Sequence, residues 1–259
     1  MVVVISLVFF ALGAVCASFI GLAASRLYTG ASIVSGRSRC DACGVSLSPL
    51  ALVPVLSWLI SRGACGTCSS RISFSLPLAE VVLGLLFVCT YLKLGLSPAL
   101  PFTLAALVLL LGLVLYDLAH SILPPILLAL FIAATLSVAF TSASDLPAFA
   151  VTFLTALLLS SLLALIHLAS NGRAMGLADA PLVFGLALLA GPQALSGLMF
   201  SFWIGAVVGL IILARRPAGT KMGSEVPFAP FLATGFLLAY FTSWNAFALA
   251  ASLMNALLV

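Results

Sequence analysis

The chain of 259 residues is 64% hydrophobic and only 6% charged, whereas a soluble domain carries about 25% charged residues. This composition excludes a soluble globular protein and predicts an all-α polytopic membrane protein, because about 20 apolar residues are enough for one helix to cross a bilayer. The net charge of +4 does not indicate a nucleic-acid partner, since the basic residues stand in short loops beside apolar runs, where they set topology.

Eight apolar runs separated by turn residues predict about eight transmembrane helices. The runs cover residues 2–25, 76–94, 101–117, 122–141, 147–169, 179–190, 194–214 and 227–243. We divide the chain into a first transmembrane helix at 1–26, a small cytoplasmic loop with four cysteines at 27–75 and a transmembrane domain at 76–259. Residues 244–259 are apolar but short, and either lie at the membrane interface or extend the last helix.

Nearly all basic residues fall on one predicted side of the membrane. Nine of them lie in or beside three loops that alternating spans place together: Arg26, Arg37, Arg39, Arg62, Arg71, Arg173, Arg215, Arg216 and Lys221. Only Lys93 lies opposite. The positive-inside rule makes the basic side cytoplasmic, so we expect a multi-pass protein of the cell (inner) membrane with its N-terminus outside. The first run lacks the basic n-region of a cleaved signal peptide, and we expect it to be retained.

The polar loop contains two Cys-x-x-Cys pairs, Cys40 with Cys43 and Cys65 with Cys68. Four thiolates in two such pairs can close a tetrahedral zinc site, and disulfides do not persist in a reducing cytoplasm. The pattern therefore predicts one structural zinc, with the glycines Gly44 and Gly66 suiting the tight turns. The alternative is four structural or redox thiols without a metal.

Two of the six acidic residues, Asp117 and Asp179, stand at ends of apolar runs. A carboxylate at mid-bilayer costs about 2.5–3.5 kcal/mol on insertion scales, so each needs a reason to be there. Two close carboxylates at the cytoplasmic helix ends can share one proton and activate a water, as in an aspartyl protease. The alternative is that both only cap helices, with Asp179 as an N-cap and Pro181 in the first turn.

Other polar residues have simpler interpretations. Glu80 follows Pro77 in the predicted first turn of the second long helix, where the helix dipole favours a negative charge. We favour this interpretation over a catalytic role for Glu80. Glu225 precedes a proline-rich stretch and is interpreted as interfacial. His120 and His167 have no partner at metal-ligand spacing, and we expect both to make local hydrogen bonds.

Taken together, these residues resemble the type IV prepilin leader peptidases, the prepilin peptidase/N-methyltransferase family of Gly-x-Gly-Asp-type intramembrane aspartyl proteases. The similarity extends over most of the chain. It is carried by Ala17-Ser-Phe-Ile with Arg26-Leu27, Arg37-Ser-Arg-Cys40-Asp-Ala-Cys43-Gly, Leu52-Val-Pro-Val-Leu-Ser-Trp58-Leu, Arg62-Gly-Ala-Cys65, Ile72-Ser73, Pro77-Leu with Glu80, Asp117 with Leu123-Pro124, Gly176-Leu-Ala-Asp179 and Pro227-Phe-Ala-Pro230-Phe-Leu-Ala.

The resemblance implies a membrane aspartic endopeptidase that removes the basic leader of prepilins or pseudopilins at the cytoplasmic face. Asp117 and Asp179 would be catalytic, the four cysteines would bind zinc, and membrane lipid would surround the protein. The residues that would support the site are Glu80, Gly176, Ala178 and Pro227. Methylation of the new N-terminus with S-adenosylmethionine is implied by the resemblance only, because the chain has no methyl-donor motif of its own.

The chain departs from the family pattern at four positions. Ala178 replaces the second glycine of the aspartate motif, Pro181 a common lysine, Pro125 an aspartate or asparagine, and Gly21 an asparagine. If position 178 requires a positive φ, alanine would strain the backbone and tilt Asp179. If the glycine only allows close approach of the substrate, alanine is tolerated, and this is our expectation.

Two other function classes remain open from the sequence. One is a catalytically impaired homologue that acts as a zinc-stabilised membrane scaffold in pilus or secretion-system assembly. The other is a carrier or channel that binds ions through its carboxylates. The cysteine loop disfavours the carrier, and so does the absence of further paired charges in the apolar runs.

Overall fold

The computed structural model describes residues 1–29, 32, 40, 42–46, 53–173, 175–215 and 227–250. Within these residues the chain forms nine α-helices and one short 3₁₀ helix with the bounds given next. They are α1 (Val2–Arg26), α2 (Leu56–Ile60), α3 (Ser75–Leu94), α4 (Ala99–His120), α5 (Pro125–Ser142), α6 (Leu146–Ala169), α7 (Asp179–Ala190), the 3₁₀ turn Gly191–Gln193, α8 (Ala194–Ala214) and α9 (Ala229–Thr242). Residues 246–250 are also helical after a break at 243–245, and 251–259, part of the stretch whose placement the sequence left open, lie outside the described residues. Some residues discussed above lie outside the described ranges: Arg37, Arg39, Asp41, Leu52, Arg216, Lys221 and Glu225.

The all-helical membrane fold predicted from composition is confirmed. Each of the eight apolar runs is a helix, with bounds within a few residues of the expected ones. Strand-like pairing in the described part of the chain is limited to isolated bridge residues, Ser46 and the pair Ala64 and Arg71. The sequence did not predict α2, because a helix of five residues is too short to show a periodic pattern.

Six segments of the described chain are long and apolar enough to cross a membrane. They are Val2–Arg26, Ser75–Leu94, Ala99–His120, Pro125–Ser142, Leu146–Ala169 and Asp179–Ala214. The last of these contains both α7 and α8, and α9 is a shorter apolar helix of 14 residues. The protein is therefore an integral membrane protein.

The chain divides into two compact units. The first contains Met1–Leu96 and Leu107–Leu115, and the second contains Ser97–Ala106 and Tyr116–Val259. Helix α4 contributes residues to both units. The division into three domains that the sequence suggested remains a prediction.

In the first unit, α1 packs against α3 at a pair of glycines. A Cβ atom added to Gly13 would lie 2.8 Å from the Cα atom of Gly84, which no side chain can tolerate without a shift. Small residues let membrane helices approach closely enough for their backbones to touch. The missing side chains at these two positions therefore allow the α1–α3 contact.

In the second unit, α7 is the central helix. It packs against α5, α6, α8 and α9, and ten of its twelve residues are buried. A helix of this length spans about 18 Å, well short of the roughly 30 Å hydrocarbon core of a bilayer. Other helices, rather than lipid, therefore surround α7, and the residue at its start is held inside the protein.

Candidate active site and candidate metal centre

Two buried carboxylates of the second unit form the candidate active site. Asp117 lies in the last turn of α4 and is 6% exposed, and Asp179 is the first residue of α7 and is 8% exposed. Helix α9 contacts the carboxylate of Asp117 through Ala229 and packs against α7, which begins at Asp179. Two buried carboxylates in such a pair favour holding a single proton between them.

The carboxylate of Asp117 is held by the start of α9. The backbone N–H of Ala229 donates to Asp117 Oδ2 at 3.3 Å. The N–H groups of a first helical turn have no partner within the helix, and the positive end of the helix dipole favours a negative charge there. Pro227 lies just before this turn, so the stretch that the sequence singled out brings a backbone donor to Asp117.

The carboxylate of Asp179 is held by the segment before α7. The N–H of Gly176 donates to Asp179 Oδ2 at 3.1 Å. A Cβ atom added to Gly176 would lie 3.3 Å from the same oxygen, which is closer than most side-chain contacts. Glycine at 176 therefore lets the backbone approach the carboxylate. The sequence indicated that Gly176 supports the site, but not that its amide does so.

The interpretation of Asp179 as an N-cap is wrong. The N-cap position of α7 is Ala178, and Asp179 accepts its hydrogen bond from the preceding turn instead of from the helix. Pro181 does lie in the first turn, as expected. Ala178 has φ −70° and ψ −16°, an ordinary right-handed conformation, so alanine at this position causes no backbone strain of the kind considered above.

Three further side chains make hydrogen bonds or ring contacts on the segments that carry the two carboxylates. The Ser160 hydroxyl donates to the Ala180 carbonyl at 2.8 Å and ties α6 to the first turn of α7. His167 Nδ1 lies 2.8 Å from the Met175 carbonyl oxygen. His120 stacks on Tyr116 with ring centroids 4.3 Å apart. Both histidines make local contacts, as expected. Ser160 carried no signal, because a serine in an apolar run usually bonds within its own helix.

The four cysteines of the first unit form the candidate metal centre. The Sγ atoms of Cys40, Cys43, Cys65 and Cys68 all lie within 4.8 Å of one another, and Cys40 and Cys68 are 3.8 Å apart. Zn–S bonds of about 2.3 Å in a tetrahedron place sulfur atoms a little under 4 Å apart. The cluster can therefore bind a metal ion, and its thiol donors suit zinc.

The two Cys-x-x-Cys turns have the same backbone hydrogen bonds. The first cysteine of each turn accepts from the N–H four residues later, Gly44 or Ser69, at 2.8 and 2.9 Å. It also donates to the carbonyl five residues later, at 3.0 and 2.9 Å. Gly44 and Ser69 both have positive φ, 70° and 58°. Gly66 lies in the second turn without a positive φ, and the left-handed position there is held by Ser69.

Ser70 lies beside two of the thiols and favours their ionised form. Its Oγ is 3.6 Å from Cys40 Sγ and 3.2 Å from Cys68 Sγ. Hydrogen bonding to Ser70, together with backbone amides of its own turn, lowers the pKa of Cys40 to about 6. The same hydroxyl is the main cause that lowers the pKa of Cys68. Thiolates are the form that binds metal, so this neighbour suits a metal site.

Glu80 lies in the first unit and does not occupy the first turn of its helix, contrary to expectation. Helix α3 begins at Ser75, so Glu80 is in its second turn, where it is buried. Its Oε2 accepts from the N–H of Val55 at 2.7 Å. Val55 has φ 61°, which is rare for a β-branched residue. Glu80 thus fastens the segment that leads into α2.

Comparisons with known proteins give one consistent result. The profile of the bacterial peptidase A24 N-terminal domain matches residues 11–94. The prepilin leader peptidase/N-methyltransferase of Bacillus subtilis (strain 168) is 32% identical over 240 residues, which cover 90% of this chain and 92% of that protein. The protein of the same name from Myxococcus xanthus is 34% identical over 82% of this chain and 64% of its own length. The one from Pseudomonas aeruginosa is 30% identical over 78% of this chain and 70% of its own length. No solved structure matches the chain.

Proposed function

Because the chain belongs to the prepilin leader peptidase/N-methyltransferase family, we propose that it is a membrane aspartic endopeptidase that removes the leader peptide of type IV prepilins or pseudopilins. The observation that carries the proposal is the pair Asp117 and Asp179, both buried in the second unit at the ends of apolar helices. A backbone N–H holds an oxygen of each. A chain without this chemistry gains nothing from two carboxylates in an apolar interior.

The two carboxylates share the work of general acid and general base. One is ionised and takes a proton from a water molecule, and the water oxygen attacks the carbonyl carbon of the scissile peptide. The other is protonated and donates to the carbonyl oxygen as negative charge develops on it. Collapse of the tetrahedral intermediate then breaks the C–N bond, and the leaving amine takes up the proton. The Gly176 and Ala229 amides keep both carboxylates in place during these steps.

The substrate is a prepilin or pseudopilin whose basic leader lies in the cytoplasm. The one-sided distribution of arginine and lysine supports this orientation, with the N-terminus outside and the cysteine loop cytoplasmic. The peptide bond that is cut lies at the start of an apolar helix, so a site at the ends of α4 and α7 can receive it while that helix stays in the membrane. Membrane lipid surrounds the protein on its apolar faces.

The cysteine cluster binds one structural zinc ion in the proposed enzyme. Cys40, Cys43, Cys65 and Cys68 supply four thiolates and leave no open position for a substrate. A loop of this size cannot build a core of its own, so a metal stabilises it instead. The names of these relatives include N-methyltransferase. We extend this second activity, with S-adenosylmethionine as methyl donor, to the chain on that basis and assign no residue to it.

Co-expression with a cognate prepilin tests the proposal. Mass spectrometry of the recovered pilin should show loss of the leader, with one added methyl group if the second activity is present. Asp117→Asn and Asp179→Asn should each reduce cleavage to background, and the double variant should be no worse, because the pair acts as a unit.

Asp145→Asn is the matched control for these changes. Asp145 caps α6 and accepts from the Ala148 N–H at 2.8 Å, a role that asparagine fills equally well. It should leave cleavage unchanged. Substantial cleavage by either single active-site variant would exclude the pair, and a wild type that cleaves no cognate prepilin would favour the scaffold.

A further inference from the structure

A single peptide group connects His167 to Asp179. The group joins Met175 to Gly176. Its carbonyl oxygen lies 2.8 Å from His167 Nδ1, and its N–H donates to Asp179 Oδ2 at 3.1 Å. A trans peptide is planar and rigid, with its C=O and N–H on opposite sides. Fixing the direction of the carbonyl therefore fixes the direction of the N–H.

The contact determines which nitrogen of His167 carries hydrogen. A carbonyl oxygen can only accept, so Nδ1 must be the donor. Nδ1 carries hydrogen both in the neutral tautomer that this contact selects and in the doubly protonated ring. The contact with Met175 therefore survives protonation of the ring at Nε2. His167 can hold the peptide whether its ring is neutral or charged.

The segment after α6 folds over the His167 ring and keeps it in place. The Gly172 N–H donates to the His167 carbonyl at 2.9 Å. Gly172 has φ 75°, and a Cβ atom at this position would lie 3.2 Å from the Cε1 atom of the ring. Glycine is required here both for the backbone conformation and for the space beside the ring. The imidazole is thus fixed between the end of α6 and the segment that leads to Asp179.

We propose that His167 is a positioning residue for the active site, and that it sets the orientation of Asp179 through the peptide between Met175 and Gly176. This inference rests on the proposed catalytic role of Asp179. The hydrogen bonds connect His167 to the Asp179 carboxylate only through this peptide, so we expect it to act on turnover rather than on binding. Without it, the Gly176 N–H is free to turn away, and Asp179 loses the donor that holds its Oδ2.

Three substitutions at position 167 test the proposal. His167→Asn places its side-chain NH₂ close to the position of Nδ1, and His167→Gln places it close to that of Nε2. His167→Ala removes the donor. The assay uses the full-length protein in detergent or lipid with a purified prepilin, and measures kcat, KM and the unfolding temperature of each variant.

We expect His167→Ala to lower kcat by about tenfold or more, equivalent to ~1.4 kcal/mol in the barrier, with KM close to that of the wild type. His167→Asn should recover most of the lost kcat, and His167→Gln should not. If the alanine variant loses stability, the comparison of Asn with Gln still decides, because the two differ only in where the amide lies. Equal kcat values for Asn and Gln, or a change confined to KM, would overturn the proposal.

Asp179→Asn, assayed alongside, separates this inference from the proposed function. If Asp179→Asn is inactive and His167→Ala has wild-type kcat, only the role of His167 is wrong. If Asp179→Asn remains active, the catalytic assignment itself fails, and the inference about His167 fails with it.

Discussion

The amide of Ala229 lies 3.3 Å from Asp117 Oδ2, although 112 positions separate the two residues in the sequence. Ala229 is fully buried and is the first residue of α9. The contact means that α9 supplies part of the candidate active site through its backbone. The identity of the side chain at 229 matters only because a small residue lets the amide come close.

Ala229→Val should therefore reduce turnover. Extra methyl groups in a packed interior cost about 1–3 kcal/mol and shift the backbone, and here the shift moves the donor of Asp117. Ala239→Val is the matched control, because Ala239 is equally buried on the same helix and holds no carboxylate. Thermal unfolding should fall in both variants, while kcat for prepilin cleavage should fall only in Ala229→Val. Equal loss of kcat in the two would show that the effect is one of stability alone.

Gly176→Ala should also reduce turnover, because its Cβ atom would lie 3.3 Å from Asp179 Oδ2 and push the carboxylate away from the amide. Ala178→Gly, on the same segment, provides the comparison. Ala178 has an ordinary φ, so removing its methyl group should change cleavage by less than about tenfold, or ~1.4 kcal/mol. The readout is kcat for a purified prepilin. A wild type that gains activity only through Ala178→Gly would contradict the assignment of an active peptidase.

The purified protein should contain about one zinc ion per chain, as a four-thiolate site requires. The double substitution Cys40→Ser with Cys65→Ser removes one ligand from each turn and should abolish the bound zinc. Cys89→Ser is the control, since Cys89 lies on α3, outside the cluster. Elemental analysis of the three proteins measures the outcome. Zinc that survives the double substitution, or that is lost from Cys89→Ser, would refute the site.

Ser69→Gly should stabilise the cysteine loop. Ser69 adopts φ 58°, and a left-handed conformation costs a non-glycine residue roughly 1–2 kcal/mol. Gly44→Ala places the same strain in the other turn and should destabilise it. Gly66→Ala should be close to neutral, because Gly66 is not among the residues with positive φ and a Cβ atom there would meet no neighbour within 4 Å. Resistance of the loop to proteolysis, measured with zinc bound, ranks the three variants. Any other order would argue against the observed turn conformations.

The helices were predictable from sequence because lipid leaves little choice: a long apolar run can satisfy its backbone only as a helix. The four cysteines and the two aspartates were predictable as candidates because their side chains are costly or conspicuous in such a chain. Their geometry supports the predictions made from spacing, although their catalytic and ligand roles stay predictions.

The groups that hold the site were much harder to predict. The donors to Asp117 and Asp179 are backbone amides of Ala229 and Gly176, and every residue except proline has such an amide. His167 looked like any histidine near a helix end. The left-handed conformation at position 69 was not predictable either, because the residue there is a serine and not a glycine. These features depend on contacts between distant segments, and a local pattern does not record them.

The contact between Ala229 and Asp117 also makes the site depend on the order in which the helices are synthesised. Asp117 and α4 enter the membrane first, and α7 with Asp179 follows, yet the donor of Asp117 is synthesised only when the ribosome reaches the start of α9. Helix α7 likewise gains its full enclosure only after α8 and α9 have packed on it. A nascent chain halted before α9 would contain both aspartates but lack the Ala229 amide that holds Asp117. We therefore expect a chain truncated before α9 to be inserted in the membrane but to cleave no prepilin.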